Sequence, residues 1–311
     1  MSLKGFSRLG DSTLTNDIRE NLIAYVDYNL LQQGNYVDIP VPTTGVYGGL
    51  DSRLRLVSDP RSTSGQVWAT FRPNIVWESG FGLTTGSQAN PGVTGVYVNS
   101  VLYPPTTTGT YAHYVDYPHG TVNFTTAIPA SSTVDLPYSY KYVTVTRADG
   151  LPWFDQIQEF SRSDGDFVSG SGAYEILPEN RQALPVIGIE LAGRSLTPYQ
   201  LGGGQNVLTS FYCHCVAEDG YMRDALVDAI SYQAKQSFKM FDLNLISTAD
   251  KFPLDYRGVP RSGALVFPDL VSTYGGRTVY IKDAVLDSVY TLGRLHIGTV
   301  KLTTEVVHFG V

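Results

Sequence analysis

Several residue groupings in this chain are of types that could do chemistry. Cys213-His214-Cys215 is the first. On a strand alternate side chains face opposite ways, so both thiols would point to one side and the imidazole to the other. One metal ion cannot easily take all three. A structural zinc site pairs one cysteine knuckle with another, and the chain has only 2 cysteines. The spacing predicts a buried strand with small apolar thiols and no bound zinc. LGGGQN, from Leu201, is glycine-rich like a phosphate loop. It lacks the Lys-Ser/Thr pair and the G-x-G-x-x-G spacing, and a strand rather than a helix is expected to follow it. GLDSRLRLVSDP, from Gly49, and SRSDGDFVSG, from Ser161, set carboxylates near glycine, but neither has the longer ligand series of a calcium loop.

The remaining candidates are weaker still. The histidines at 113, 119, 214, 296 and 308 show no H-E-x-x-H pattern, and no serine sits in G-x-S-x-G. Asn123-Phe124-Thr125 fits a glycosylation sequon and reads as a strand segment. Trp68 and Trp77, with Tyr47 and Phe71, form an aromatic cluster that reads as core plus interface, with a sugar-stacking platform as the other option. Paired carboxylates brought together from distant strands would leave no local signature. No catalytic, cofactor-binding or metal-binding residue is assigned, no cofactor is expected, and the chain is read as not an enzyme.

These residues must be positioned by a chain of 311 residues with net charge −7. Charged residues make up only 16% of it, against roughly 25% in ordinary globular domains. No Lys/Arg run supplies a footprint for DNA or RNA, so no specific nucleic-acid binding is expected. No apolar run approaches the ~20 residues of a membrane span, and the start, MSLKGFSRLGDSTLT, lacks a secretory leader's apolar stretch. Assembly in a cytosol is expected. Tyr (21) outnumbers Phe (13), a composition suited to β-rich proteins with large contact surfaces.

Ile18, Leu22, Tyr25, Val26 and Leu30 share a helical face, predicting an amphipathic helix from about Asn16 to Gln32. Thr15 would cap it and Gly34 end it, with docking on the following sheet or on a neighbouring subunit. From Tyr36 to Arg147, NYVDIPVP, SRLRLVSD, GQVWATFR, NIVWES, GVYVNSVLYP, YAHYVDYP, GTVNFTTA and TVDLPYSYKYVTVTR read as strands of an antiparallel sandwich or barrel. In the last of these Val134, Leu136, Tyr138, Tyr140 and Tyr142 share one face, and Pro137 marks an edge. YPHG closes a hairpin through Gly120. Residues 151–183 read as a linker or long loop. PVIGIEL and QNVLTSFYCHCVAED then read as strands, and YMRDALVDAISYQAKQSFKMFD as one helix through Leu226, Ile230, Ala234, Phe238 and Phe241. GRTVYIKDAVLDSVYT and LHIGTVKLTTEVVHF are two further strands. The predicted fold is α+β and β-rich, with a helical segment at 1–35, a β module at 36–150, the loop at 151–183, and at 184–311 an antiparallel sheet crossed by one long helix.

NLIAYVDYNLLQQGNYVDIP, GGLDSRLRLVSDPRSTSGQVWATFRPNIVWESG and VDYPHGTVNFTTAIPASSTVDLPYSYKYVTV resemble structural proteins of tailed bacteriophages over about the first half of the chain. The strand, strand, helix, strand, strand order of the last part is similar to tail-terminator and neck subunits of long-tailed phages. The large β module departs from a minimal terminator. The resemblance implies a virion protein without catalytic residues, assembled in the host bacterial cytoplasm. It would form a ring at the head–tail connection, hexameric or dodecameric, against neck, tail-tube or sheath proteins. On that reading Tyr138, Tyr140, Tyr142, Trp68 and Trp77 would serve subunit contact, and the loop at Asp164–Gly172 would order on assembly. A baseplate or fibre-attachment protein, a carbohydrate-binding module using Trp68 and Trp77, and a hydrolase with dispersed carboxylates are the alternatives.

Overall fold

A computed structural model of the chain describes residues 13–41, 52–57, 61–83, 92–148, 184–199 and 204–309. The loop expected at 151–183, with its SRSDGDFVSG segment and Asp164–Gly172, lies outside the described residues, as do Tyr47, Gly49 and Leu201–Gly203.

Helix α1 spans Leu14–Gln32. Its cap is Thr13, two residues before the expected Thr15, and the Thr13 hydroxyl accepts from the Asn16 N–H. The helix stops where Gly34 takes φ 86°. The Gly34 N–H then reaches the Leu31 carbonyl and the Asn35 N–H reaches that of Leu30, both at 2.9 Å, closing a Schellman motif. Leu14, Ile18, Leu22 and Val26, each four residues apart, are buried in one core with Ile187, Phe211, Val300 and Leu302. The helix therefore docks on the C-terminal sheet and not on the sheet that follows it. The short strands after α1 spend their inward residues on a core of their own, whereas the later sheet offers an uncovered apolar face.

That later sheet has six strands in the order β10-β11-β12-β15-β14-β13. They are β10 (Thr144–Arg147), β11 (Val186–Pro198), β12 (Gly204–Ala217), β13 (Ser237–Phe241), β14 (Gly275–Leu292) and β15 (Leu295–Phe309). β10 and β11 run parallel and every other pair is antiparallel. The sheet curls into a half-barrel, with α1 and α2 (Gly220–Ser231) on its apolar face. Two short helices, α3 (Leu243–Ala249) and α4 (Phe267–Tyr274), close the end beside β13 through Phe241, Ile246 and Leu270. The boundary expected at 150 thus falls after β10, which already belongs to the larger sheet.

The helix expected across Tyr221–Asp242 ends at Ser231. Asp219 caps its start, accepting from the Met222 N–H at 2.8 Å. Lys235 turns the chain at φ 66°, and Ser237–Phe241 forms β13 with Phe238 and Met240 buried and Ser237 and Lys239 exposed. Period two prevails over period 3.6 there because β14 offers an edge with which those residues can pair.

The β module builds from three small antiparallel sheets around a second core. One pairs β1 (Tyr36–Ile39) with β9 (Tyr138–Lys141). Another joins β2 (Arg55–Leu56), β3 (Val67–Ala69), β7 (Thr121–Phe124) and β6 (His113–Asp116) in that order. The last joins β5 (Val101–Tyr103), β4 (Val96–Val98) and β8 (Val134–Asp135). GVYVNSVLYP is a hairpin rather than one strand, turned by Asn99 and Ser100 at positive φ. NIVWES contributes one bridge, Ile75 to Tyr140, and no strand. The YPHG turn closes β6 and β7 as expected. Gly120 has φ 65°, and a Cβ there would meet the Thr70 side chain and Pro73.

The expected final strand is broken into β8, β9 and β10, each in a different sheet. Pro137, which has no N–H to donate, sits at the first break. Asn35 seals the second: its side-chain amide donates to the Val143 carbonyl at 3.0 Å and accepts from the Val143 N–H at 2.8 Å. Asn21, fully buried on α1, does the same for Phe241 at the end of β13, at 2.9 and 2.8 Å. Asn21→Ala would strand both polar groups of Phe241, so we expect a loss of roughly 2–3 kcal/mol in urea unfolding. A loss below about 0.5 kcal/mol would show that this bond pair does not hold α1 in place.

Candidate functional site

Two features stand apart from ordinary packing: a buried charge cluster beneath a cleft, and two open edges of the six-stranded sheet. The cluster forms where α1 meets the β module. Lys141, at the end of β9, reaches Asp27 of α1 and Glu78, each at 2.6 Å. Glu78 follows a stretch anchored by the buried Ile75 and Val76, and its second carboxylate oxygen accepts from the Trp77 N–H at 3.1 Å. Above the cluster opens a cleft of about 540 Å³ walled by Ile23, Tyr28, Trp77, Leu243, Phe252 and Phe267.

Burial alone would drive the Lys141 ammonium toward neutrality, but the charges of Asp27 and Glu78 and their hydrogen bonds reverse this and hold its pKa above the ordinary lysine value. Burial raises the Glu78 pKa, with Asp27 acting the same way and Lys141 opposing. A raised carboxyl beside a cleft is a candidate general acid. Here both of its oxygens already have partners. Glu78 lines the cleft, but one of its oxygens is held by Lys141, the other accepts from a backbone N–H, and the side chain is 7% exposed. The cluster is a clamp that ties α1, the 74–78 segment and β9 together.

Cys213 and Cys215 face the core beside Phe211 and Ile187, while His214 points the other way, held by Glu190 at 3.0 Å and Thr299 at 3.1 Å. Strand alternation separates the thiols from the imidazole as the spacing predicted. Burial pushes the Cys213 thiol up to about 12 and the Cys215 thiol well above its ordinary range, the latter helped by its neighbour Cys213.

The interface residues expected from sequence fall mostly inside. Tyr138 and Tyr140 are 0% and 1% exposed and Trp68 is 3% exposed, all within the β-module core. A folded chain offers none of the three to a neighbour, and Trp68, whose indole N–H donates to the Gly65 carbonyl, cannot stack on a sugar. The reason is the break of the final strand: the tyrosine face turns inward on a small core rather than outward on a broad sheet. Tyr142 is half-buried where the two cores meet, and Trp77 lines the cleft.

The exposed apolar surface lies elsewhere. β13 covers β14 only up to Tyr280, and the Lys235–Ile281 and Ile281–Gln236 backbone bonds end that pairing. From Asp283 to Leu292 no described strand pairs with the outer edge of β14. This stretch exposes Val285, Leu286, Val289, Tyr290 and Leu292, each by 45–59%. On the opposite margin β10 covers β11 only through Ile189. From Glu190 to Pro198 no described strand pairs with the outer edge of β11, which there exposes Leu191 and Leu196.

No family model matches the chain, and no curated protein matches it. Its chemistry is therefore read from these surfaces. Nothing in the sequence patterning flagged the β14 edge, because a strand's pattern reports which residues share a face and not which of its edges has a neighbour. The shortness of β13 leaves about half of it without a described partner on that side.

Two measurements test this description. Lys141→Met leaves Asp27 and Glu78 buried without their cation and should cost about 3–5 kcal/mol near pH 7. A carboxyl whose pKa is raised on folding binds more protons folded than unfolded, so its contribution falls as pH rises through the folded pKa. The Lys141→Met penalty should accordingly shrink on acidification, as Glu78 takes up a proton; a penalty that grows on acidification would contradict the assignment. Separately, iodoacetamide near pH 8 should leave both cysteines unmodified in the native chain and alkylate both in denaturant. Rapid labelling of the native chain would place the thiols outside the core.

Proposed function

We propose that this chain is a structural subunit that works by joining copies of itself into a ring, as a neck or tail-terminator component of a long-tailed bacteriophage virion. The bare apolar edge of β14 carries the self-association part of this reading. An unpaired strand edge is a template for another strand, and soluble proteins ordinarily blunt such edges with charge, proline or a bulge. Between Lys282 and Leu292 the charges are Asp283 and Asp287 and no proline interrupts; the pairing with β15 shifts register at Ile281/Asp283 and Leu286/Ser288, yet most of the other exposed side chains are apolar. Such an edge favours addition of a strand from a partner. The virion assignment rests on the sequence resemblance, with which a self-associating, β-rich subunit agrees.

The reading leads to a direct measurement. Light scattering of the purified chain, followed by electron-microscope class averages, should show a closed ring of six or twelve copies. A chain that stays monomeric at its highest soluble concentration, alone and with head or tail particles added, would overturn the proposal.

A further inference from the structure

The two open edges fit each other. Following the antiparallel pairings across β11, β12, β15 and β14, β11 runs opposite to β14. Two copies set side by side in the same orientation, the β14 margin of one against the β11 margin of the next, therefore present antiparallel strands. Both open stretches are of similar length, Asp283–Leu292 and Glu190–Pro198. Both expose large apolar side chains, and Arg194 on one is opposite in sign to Asp283 and Asp287 on the other.

The stretches also lie at different heights. Leu286 pairs with Val300, Val300 with Cys213 and Cys213 with Ile189, so the open part of β14 is level with the part of β11 that β10 covers. The open part of β11 lies further along, by about six residues or roughly 20 Å at ~3.3 Å per residue. Each margin is covered where the other is open.

Resting on the reading of the chain as a self-associating ring subunit, we infer that the β14 edge at Asp283–Leu292 pairs antiparallel with the β11 edge at Glu190–Pro198 of a second copy, making one sheet that continues from subunit to subunit. The contact uses two different patches, so it is heterologous and closes by rotation rather than by a twofold axis. The 20 Å offset is taken up by strand tilt, as stagger is in any closed barrel. Helices α1 and α2 then lie on one wall of the ring. The other wall is the sheet face on which no described helix packs, with Ser210, Tyr212, Lys301 and Thr303 on it.

Ser195 and Ser288 pair with Leu208 and Thr299, on that same face, one on each open edge. Chains carrying Ser195→Cys alone and Ser288→Cys alone are mixed and treated with a short bis-maleimide. The buried native thiols stay silent. Covalent dimers are expected in the mixture, with each variant alone giving less than about a tenth of that yield. Dimers from Ser288→Cys alone would mean β14 pairs with itself and would overturn the inference. Rings that form without cross-links in the mixture would overturn the edge pairing and leave the ring reading standing. A monomer by light scattering would overturn both.

Discussion

The fold depends on one lysine. Lys141 brings a single positive charge between two carboxylates on elements that are otherwise held mainly by apolar contact, with Lys141 and Glu78 buried and Asp27 half-buried. Burying unpaired charge is so costly that the geometry has little freedom: Asp27 fixes the rotation of α1, Glu78 fixes the 74–78 segment, and β9 supplies the cation. Apolar packing alone would tolerate α1 sliding along the sheet by a turn, since its buried residues recur every four positions. The clamp does not tolerate that slide, because a one-turn shift removes Asp27 from Lys141.

The same economy of means recurs at the breaks in the β structure. Asn21 and Asn35 each use both ends of one amide to satisfy a single backbone residue, Phe241 and Val143, where a strand ends. A buried strand end otherwise leaves an unmatched N–H and C=O. In this way α1 and the turn after it stand in for missing strands at two separate places.

Much of this was legible in the sequence and some was not. The α1 stripe, the stop at Gly34, the YPHG turn and the long β14–β15 pair follow from local periodicity and turn chemistry, which the structure respects. The α+β, β-rich class follows from them. What failed did so where tertiary partners overrule local pattern. SFKMF has apolar residues compatible with both periods, and only the presence of β14 selects the strand. The tyrosines of β9 alternate correctly, but alternation says which residues share a face and not which side that face meets. The Lys141 clamp joins residues from positions 27, 78 and 141, and no short-range pattern links such distances. The open edges were invisible for the same reason, since an edge is defined by a neighbour's length.

The run from Val134 to Arg147 passes through three sheets without leaving the extended conformation for long. This has a mechanical meaning. Tension applied to the large sheet through β10 reaches β9 and β8 along covalent backbone, and neither core interface has to carry it in shear. At the midpoint of that line the lysine clamp fastens α1 to it. A pull along this line would be borne where the chain is bonded rather than merely packed.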